Sequence, residues 1–118
     1  GAKPLALELT YHRDFTAEAI AKRSLEEMRR VGSFTPQQAT RWQQALQAAL
    51  PDVKSGDRLL GIHQPGVGAV FKMAGRIVGE VPDAEFSRLF FGIWLSPQTS
   101  EPGLRQELLA ATRTAGQP

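Results

Sequence analysis

No cysteine occurs anywhere in this chain. That excludes disulfide staples, thiolate nucleophiles and cysteine-ligated metal centres, and it removes the usual sign of redox compartment. Histidine is nearly as scarce. His12 and His63 are far apart and form no HxH or HxxxH arrangement. A metal site would need both to converge with a carboxylate, so no metal ligand is expected. Charge of one sign is also missing. The formal net charge is +2 although the pI is 9.4, and the longest basic run is two residues. Nothing here tracks a phosphate backbone, so no nucleic-acid partner is expected. No apolar run approaches the ~18 residues that span a bilayer, and the opening stretch GAKPLALELTYHRD has no signal-peptide form.

The glycine and serine signatures of cofactor and hydrolase sites are absent too. GVG at Gly66–Gly68 lacks the third glycine of a dinucleotide fingerprint and precedes a strand instead of a helix, so it reads as a hairpin loop. Ser24, Ser33, Ser87, Ser96 and Ser100 stand in no GxSxG context. YHRD at Tyr11–Asp14 matches the opening of a kinase catalytic loop, but the position five residues after Asp14 is Ala19 where that loop needs asparagine. The plainer reading is a strand end, with Asp14 helping to start the next helix. Glu26 and Glu27 beside Arg29 and Arg30 read as a solvated helix face. No cofactor is expected.

What is present is the material of one small domain. The chain has 118 residues, 42% of them hydrophobic and 22% charged, enough for a single core. Leu5, Leu7, Leu9 and Tyr11 alternate with Ala6, Glu8, Thr10 and His12, the period of a half-buried strand. Ala17, Ile20, Ser24, Met28 and Val31 then recur at helical spacing behind Thr16, a natural N-cap, and Gly32 closes that helix. Thr35-Pro36 opens a second helix lined by Ala39, Trp42, Leu46 and Ala49 and closed by Pro51. Three extended pieces follow, near Arg58–Gln64, Ala69–Met73 and Arg76–Glu80, joined by PGVG and AGR as a meander.

Pro82-Asp83 starts the most apolar segment. Phe86, Leu89, Phe90, Ile93 and Trp94 keep the 3–4 spacing, while Phe91 and Leu95 fill another side. A helix apolar over most of its circumference needs protein around most of it. A last helix is expected from about Pro102 to Thr112 with Ser100 as N-cap, then a frayed TAGQP tail. The order β-α-α-β-β-β-α-α has no alternation that demands a parallel crossover. The expected class is therefore α+β, with an antiparallel sheet packed against helices in one domain spanning residues 1–118. Facing the sheet residues, the aromatic helix could wall an apolar pocket between sheet and helices. Tyr11, Arg13, Phe71, Phe90 and Trp94 are the candidate ligand-binding residues; close core packing is the alternative use of the same groups.

The stretch FKMAGRIVGEVPDAEFSRLFFGIWLSPQTSEPGLRQELL resembles the C-terminal part of the chalcone isomerase-like family, particularly its bacterial branch. LELTYHRDFTAEAIAKRSLEEMRR is similar to the family's strand and first long helix. The resemblance runs from Leu5 to Ala110 and implies an open-faced sandwich. True chalcone isomerases close a ring by adding a phenolate oxygen to a conjugated double bond, with an arginine steadying the phenolate and hydroxyls supporting the ketone oxygen. Against that pattern, the catalytic tyrosine falls at Ile20, the site asparagine at Glu27, and the arginine-bearing strand lies upstream of this chain. No catalytic residue is carried over.

The resemblance thus implies a non-catalytic domain that binds a small apolar or fatty-acid-like ligand. Two other readings stay open: an isomerase or lyase with a site relocated to Arg13 and Tyr11, and a structural or assembly protein. It also implies periplasmic residence, and missing N-terminal strands whose place a homo-oligomer or a strand-complementing partner would take.

Overall fold

The computed structural model describes residues 5–95 and 111–115. In chain order they form β1 (Leu5–Tyr11), α1 (Ala17–Val31), α2 (Pro36–Ala49), β2 (Arg58–Gln64), β3 (Gly68–Met73), β4 (Arg76–Val81), α3 (Ala84–Leu95) and β5 (Ala111–Ala115). The strands make one sheet in the order β4-β3-β2-β1-β5, antiparallel at every pairing. This is the α+β class that the absence of β-α-β alternation required.

Strand alternation decides which side the helices cover. Leu7, Leu9 and Tyr11 of β1, Leu59 and His63 of β2, Ala69 and Phe71 of β3 and Val81 of β4 are buried. The residues between them on β1, β2 and β3 keep part of their surface, apart from buried Gly61, which shares the parity of Leu59 and His63. Successive side chains of a strand point to opposite faces, so the helices cover one face and leave the other open. The turns follow from their residues. Pro65-Gly66 occupies the centre of the β2–β3 connection, with Gly66 at φ 77° and Val67 N–H donating to Gln64 O at 2.9 Å, as a type II turn requires. Ala74 and Gly75 both have positive φ between β3 and β4, the two-residue turn whose twist suits a hairpin.

Each helix begins on a cap. Thr16 accepts from Ala19 N–H at 3.1 Å, while Asp52 from the connector before β2 accepts from Ala17 N–H at 2.8 Å. Asp14, expected to help start α1, instead accepts from Ser55 N–H at 2.9 Å; Thr16 and Asp52 already satisfy the free amides it would have served. Thr35 and Gln38 form a reciprocal capping box with Pro36 at the first helical position. Gly32 ends α1 in an extended conformation. Its missing side chain is explained by Leu89, because a Cβ there would lie 2.7 Å from Leu89 Cδ2.

Four expectations change. Glu27 is buried, 4% exposed, because it shares the inward face of α1 with Ser24 and Met28; the solvated face holds Arg23 and Glu26, paired at 3.2 Å. Leu95, placed among the covered residues of α3, is 44% exposed, since it falls at the end of the helix. The last helix expected over Pro102–Thr112 lies outside the described residues except for Ala111 and Thr112, which belong to β5. The tail expected to fray begins within that strand, where Thr114 pairs with Glu8 and completes the hydrogen bonding of β1.

Asp83 joins the helical layer together. Its Oδ1 accepts from Phe86 N–H at 3.0 Å and caps α3, and its Oδ2 accepts from the indole N–H of Trp42 on α2 at 2.9 Å. Replacing Asp83 with alanine removes a cap and leaves a buried indole donor without its acceptor. The expected loss is about 2–4 kcal/mol in denaturant unfolding. Asp83→Asn, which keeps one accepting oxygen, loses less; equal stability of Asp83→Ala and wild type would contradict this role.

Candidate functional site

The chemistry available to the chain lies where α3 meets β2 and β3. Gly61 lets α3 lie against the sheet, since a Cβ there would come within 3.1 Å of the Phe91 ring. On the other side of α3, Gly92 faces α1, and a Cβ there would lie 2.5 Å from Val31 Cγ1. A glycine inside a helix costs about 1 kcal/mol relative to alanine; here it permits close contact between helices. Phe90 is the hub of the seam. Its ring centroid lies 5.1 Å from Phe91, 5.4 Å from Trp94, 5.5 Å from Phe86 and 5.6 Å from Phe71, mostly edge to face.

Of the five candidate ligand-binding residues, Phe71, Phe90 and Trp94 come together in this cluster. Tyr11 sits four residues along β1 from Leu7, which shares its cross-strand row with Gly61 and Phe71. It is buried, and its ring contacts Phe15 at 6.1 Å. Burial pushes the Tyr11 phenol above its ordinary range, so it stays protonated. Arg13 is exposed and lies over the outer ring of this pair, 5.3 Å from the Phe15 centroid. Ile20, at the position the resemblance gives to a catalytic tyrosine, is part of the core. Glu27, at the asparagine position, lies 3.8 Å from Arg30 Nε. Arg58 and Arg76, the arginines of β1 to β4, are exposed, so those four strands present no arginine to a phenolate on the helix-covered face. Nor do any three of His, Asp and Glu among those residues gather closely enough to hold a metal ion.

One polar link crosses the seam, and the sequence motifs did not reveal it. His63 Nδ1 lies 2.6 Å from Ser87 Oγ, and the hydroxyl donates to Gly68 O at 3.0 Å. Both side chains are buried, with Phe91 5.4 Å from the imidazole. With the hydroxyl proton directed at Gly68, a proton on Nδ1 makes the short contact. The link therefore ties β2, β3 and α3 together and does not draw a proton from Ser87. The available signal was parity: His63 shares strand phase with Leu59, and Ser87 stands four residues before Phe91 on α3.

Fold and seam together define a class: an antiparallel sheet with one helix-covered face, an aromatic interior and a neutral hydrogen-bonded link between strand and helix. The family model described as chalcone isomerase-like matches residues 1–110, and the chain belongs to that family. A protein of Haemophilus influenzae named only as an uncharacterized protein is 27% identical over 112 residues, covering 95% of this chain. The chain spans about half the length of that relative, 54%. No solved structure matches the chain at a significant level. No helix among the described residues is long and apolar enough to cross a membrane.

Burial holds the His63 pKa below its ordinary 6.5. Between the folded and unfolded values the unfolded chain binds more protons, so the contribution is complete above about pH 6.5 and is lost as pH falls through the folded value. Denaturant unfolding at several pH values should show wild type losing stability below neutrality and His63→Gln losing less over the same interval. Parallel profiles would show that His63 titrates alike in both states.

Proposed function

We propose that this chain is a non-catalytic chalcone isomerase-like domain that binds a small apolar, fatty-acid-like molecule between sheet and helices, against Phe71, Phe90 and Trp94. The supporting observation is the chemistry of the seam. Among the described residues it offers hydrocarbon and aromatic surface with the neutral His63–Ser87 link, and no cation faces inward from β1 to β4. Ring closure of the chalcone isomerase type needs charge stabilisation aimed at an anionic oxygen. Apolar binding needs surface removed from water and room to admit the ligand. Trp94 brings the aromatic wall to the end of α3, next to half-exposed Leu95.

The relocated enzymatic site has less behind it. Tyr11 is buried and protonated, while Arg13 is exposed over the Phe15 ring.

Lipid extraction of the purified chain and titration with a long-chain fatty acid, followed by tryptophan fluorescence, test the proposal. Retained lipid or saturable binding is expected, weakened at least tenfold in Trp94→Ala, together with background rates of chalcone ring closure. Absence of both retained lipid and saturation would overturn the binding reading. Accelerated decay of chalcone absorbance would overturn the non-catalytic one.

A further inference from the structure

The face of the sheet away from the helices has a pattern that the seam does not use. Register places Glu8, Leu60, Lys72 and Ile77 in one row across β1, β2, β3 and β4, and Ala6, Ile62, Val70 and Glu80 in the next. Ala6, Leu60, Ile62 and Val70 are only half-buried, and Ile77 is 57% exposed. An apolar stripe along β2 and β3 is thus flanked by an anion on β1 and a cation on β3. Glu8 and Lys72 are two strand spacings apart, roughly 9–10 Å. Among the described residues neither has an ion-pair partner. A shallow groove of about 420 Å³ opens on the same face, between Glu8, Arg58, Leu60 and Lys72 and the turn at Ala74-Gly75.

We propose that this open face is the contact surface of a symmetric pair of these chains, with the two-fold axis lying along β2. Such an axis lays β1 of one copy over β3 of the other and keeps each row at its own height. Glu8 then faces Lys72 of the second copy, and Lys72 faces its Glu8. Leu60 meets Leu60, Ile62 meets Ile62, and Ala6 meets Val70. The apolar stripe covers itself, and both charges find opposite partners, as a self-complementary two-fold interface requires.

Charge selects this axis over the alternative. A two-fold running across the strands through the Glu8 row lays β1 on β1 and β3 on β3, bringing Glu8 to Glu8 and Lys72 to Lys72. Facing sheets pack about 10 Å apart with strands within about 30° of each other, so the central rows overlap best. Arg58 would meet its counterpart at the rim, where its long stem can turn to water. This surface is on the opposite side of the sheet from the seam and does not depend on ligand binding there.

Charge reversal tests the geometry. Sedimentation over a wide range of concentration should show a dimer for wild type. Glu8→Lys and Lys72→Glu should each weaken it at least tenfold, and the double reversal should restore it, with thermal unfolding confirming that every variant is folded. A second measurement stands whatever those variants do. Because the chain has no cysteine, Leu60→Cys puts a single thiol on the axis. A bis-maleimide spanning about 10 Å, the spacing of facing sheets and too wide for a direct disulfide, should join two copies of it readily, whereas Val67→Cys, on the exposed β2–β3 loop, should stay largely monomeric. A wild type that is monomeric at every concentration overturns the proposal. So does a double reversal no tighter than either single one, or equal cross-linking at positions 60 and 67.

Discussion

The structure depends on the burial of α3 against two surfaces at once, the sheet on one side and α1 on the other. Both approaches are set by glycines. Gly61 makes space for the Phe91 ring on β2, and Gly32 and Gly92 let α1 and α3 close on Leu89 and Val31. Six large apolar side chains of α3 are buried as a result: Phe86, Leu89, Phe90, Phe91, Ile93 and Trp94. Truncating one such ring typically costs about 3–5 kcal/mol, a large share of the about 5–15 kcal/mol by which domains are stable. The helical layer has little redundancy around this element. Asp83 fixes its start and ties it to Trp42, which itself packs against Phe86 at 5.9 Å.

That constraint also explains how the two faces of the sheet divide their roles. Burial of α3, with α1 and α2 beside it, makes the covered face of β1 to β4 apolar apart from the His63–Ser87 link. No cation reaches that face from β1 to β4; ring closure demands charge stabilisation aimed at an anionic oxygen, and this supports the non-catalytic reading proposed for the domain. On the open face the same strands alternate hydrocarbon with isolated charges, a composition suited to contact with another surface more than to exposure alone.

Much of the fold was legible because it rests on local chemistry. The alternation of Leu5 to Tyr11, the Thr35-Pro36 start, the turn residues at Gly66 and Gly75, and the apolar spacing of α3 each have a physical meaning within a few residues. What escaped depends on neighbours distant in sequence. Asp52 takes the place at the start of α1 that a linear reading gives Asp14, because the connector before β2 folds back on α1. Glu27 turns inward while Glu26 does not, a distinction that needs the position of the helix on the sheet. β5 became visible only once β1 was seen to have a second edge to pair. At the seam, the aromatic residues of α3 were recognisable by spacing, and Phe90 packs against both Phe71 and Trp94. The His63–Ser87 link was not recognisable, because no motif joins two residues brought together across a strand and a helix.

Amide hydrogen exchange resolved by residue tests most directly whether α3 is the centre of the structure. The account predicts that Leu89 to Trp94 exchange only through global unfolding and are the most protected amides of the chain, matched by the central strands β1, β2 and β3. Exchange of those α3 amides at rates typical of the exposed connector around Lys54–Gly56, with the sheet still protected, would show that the helix is a loosely docked appendage and would contradict it.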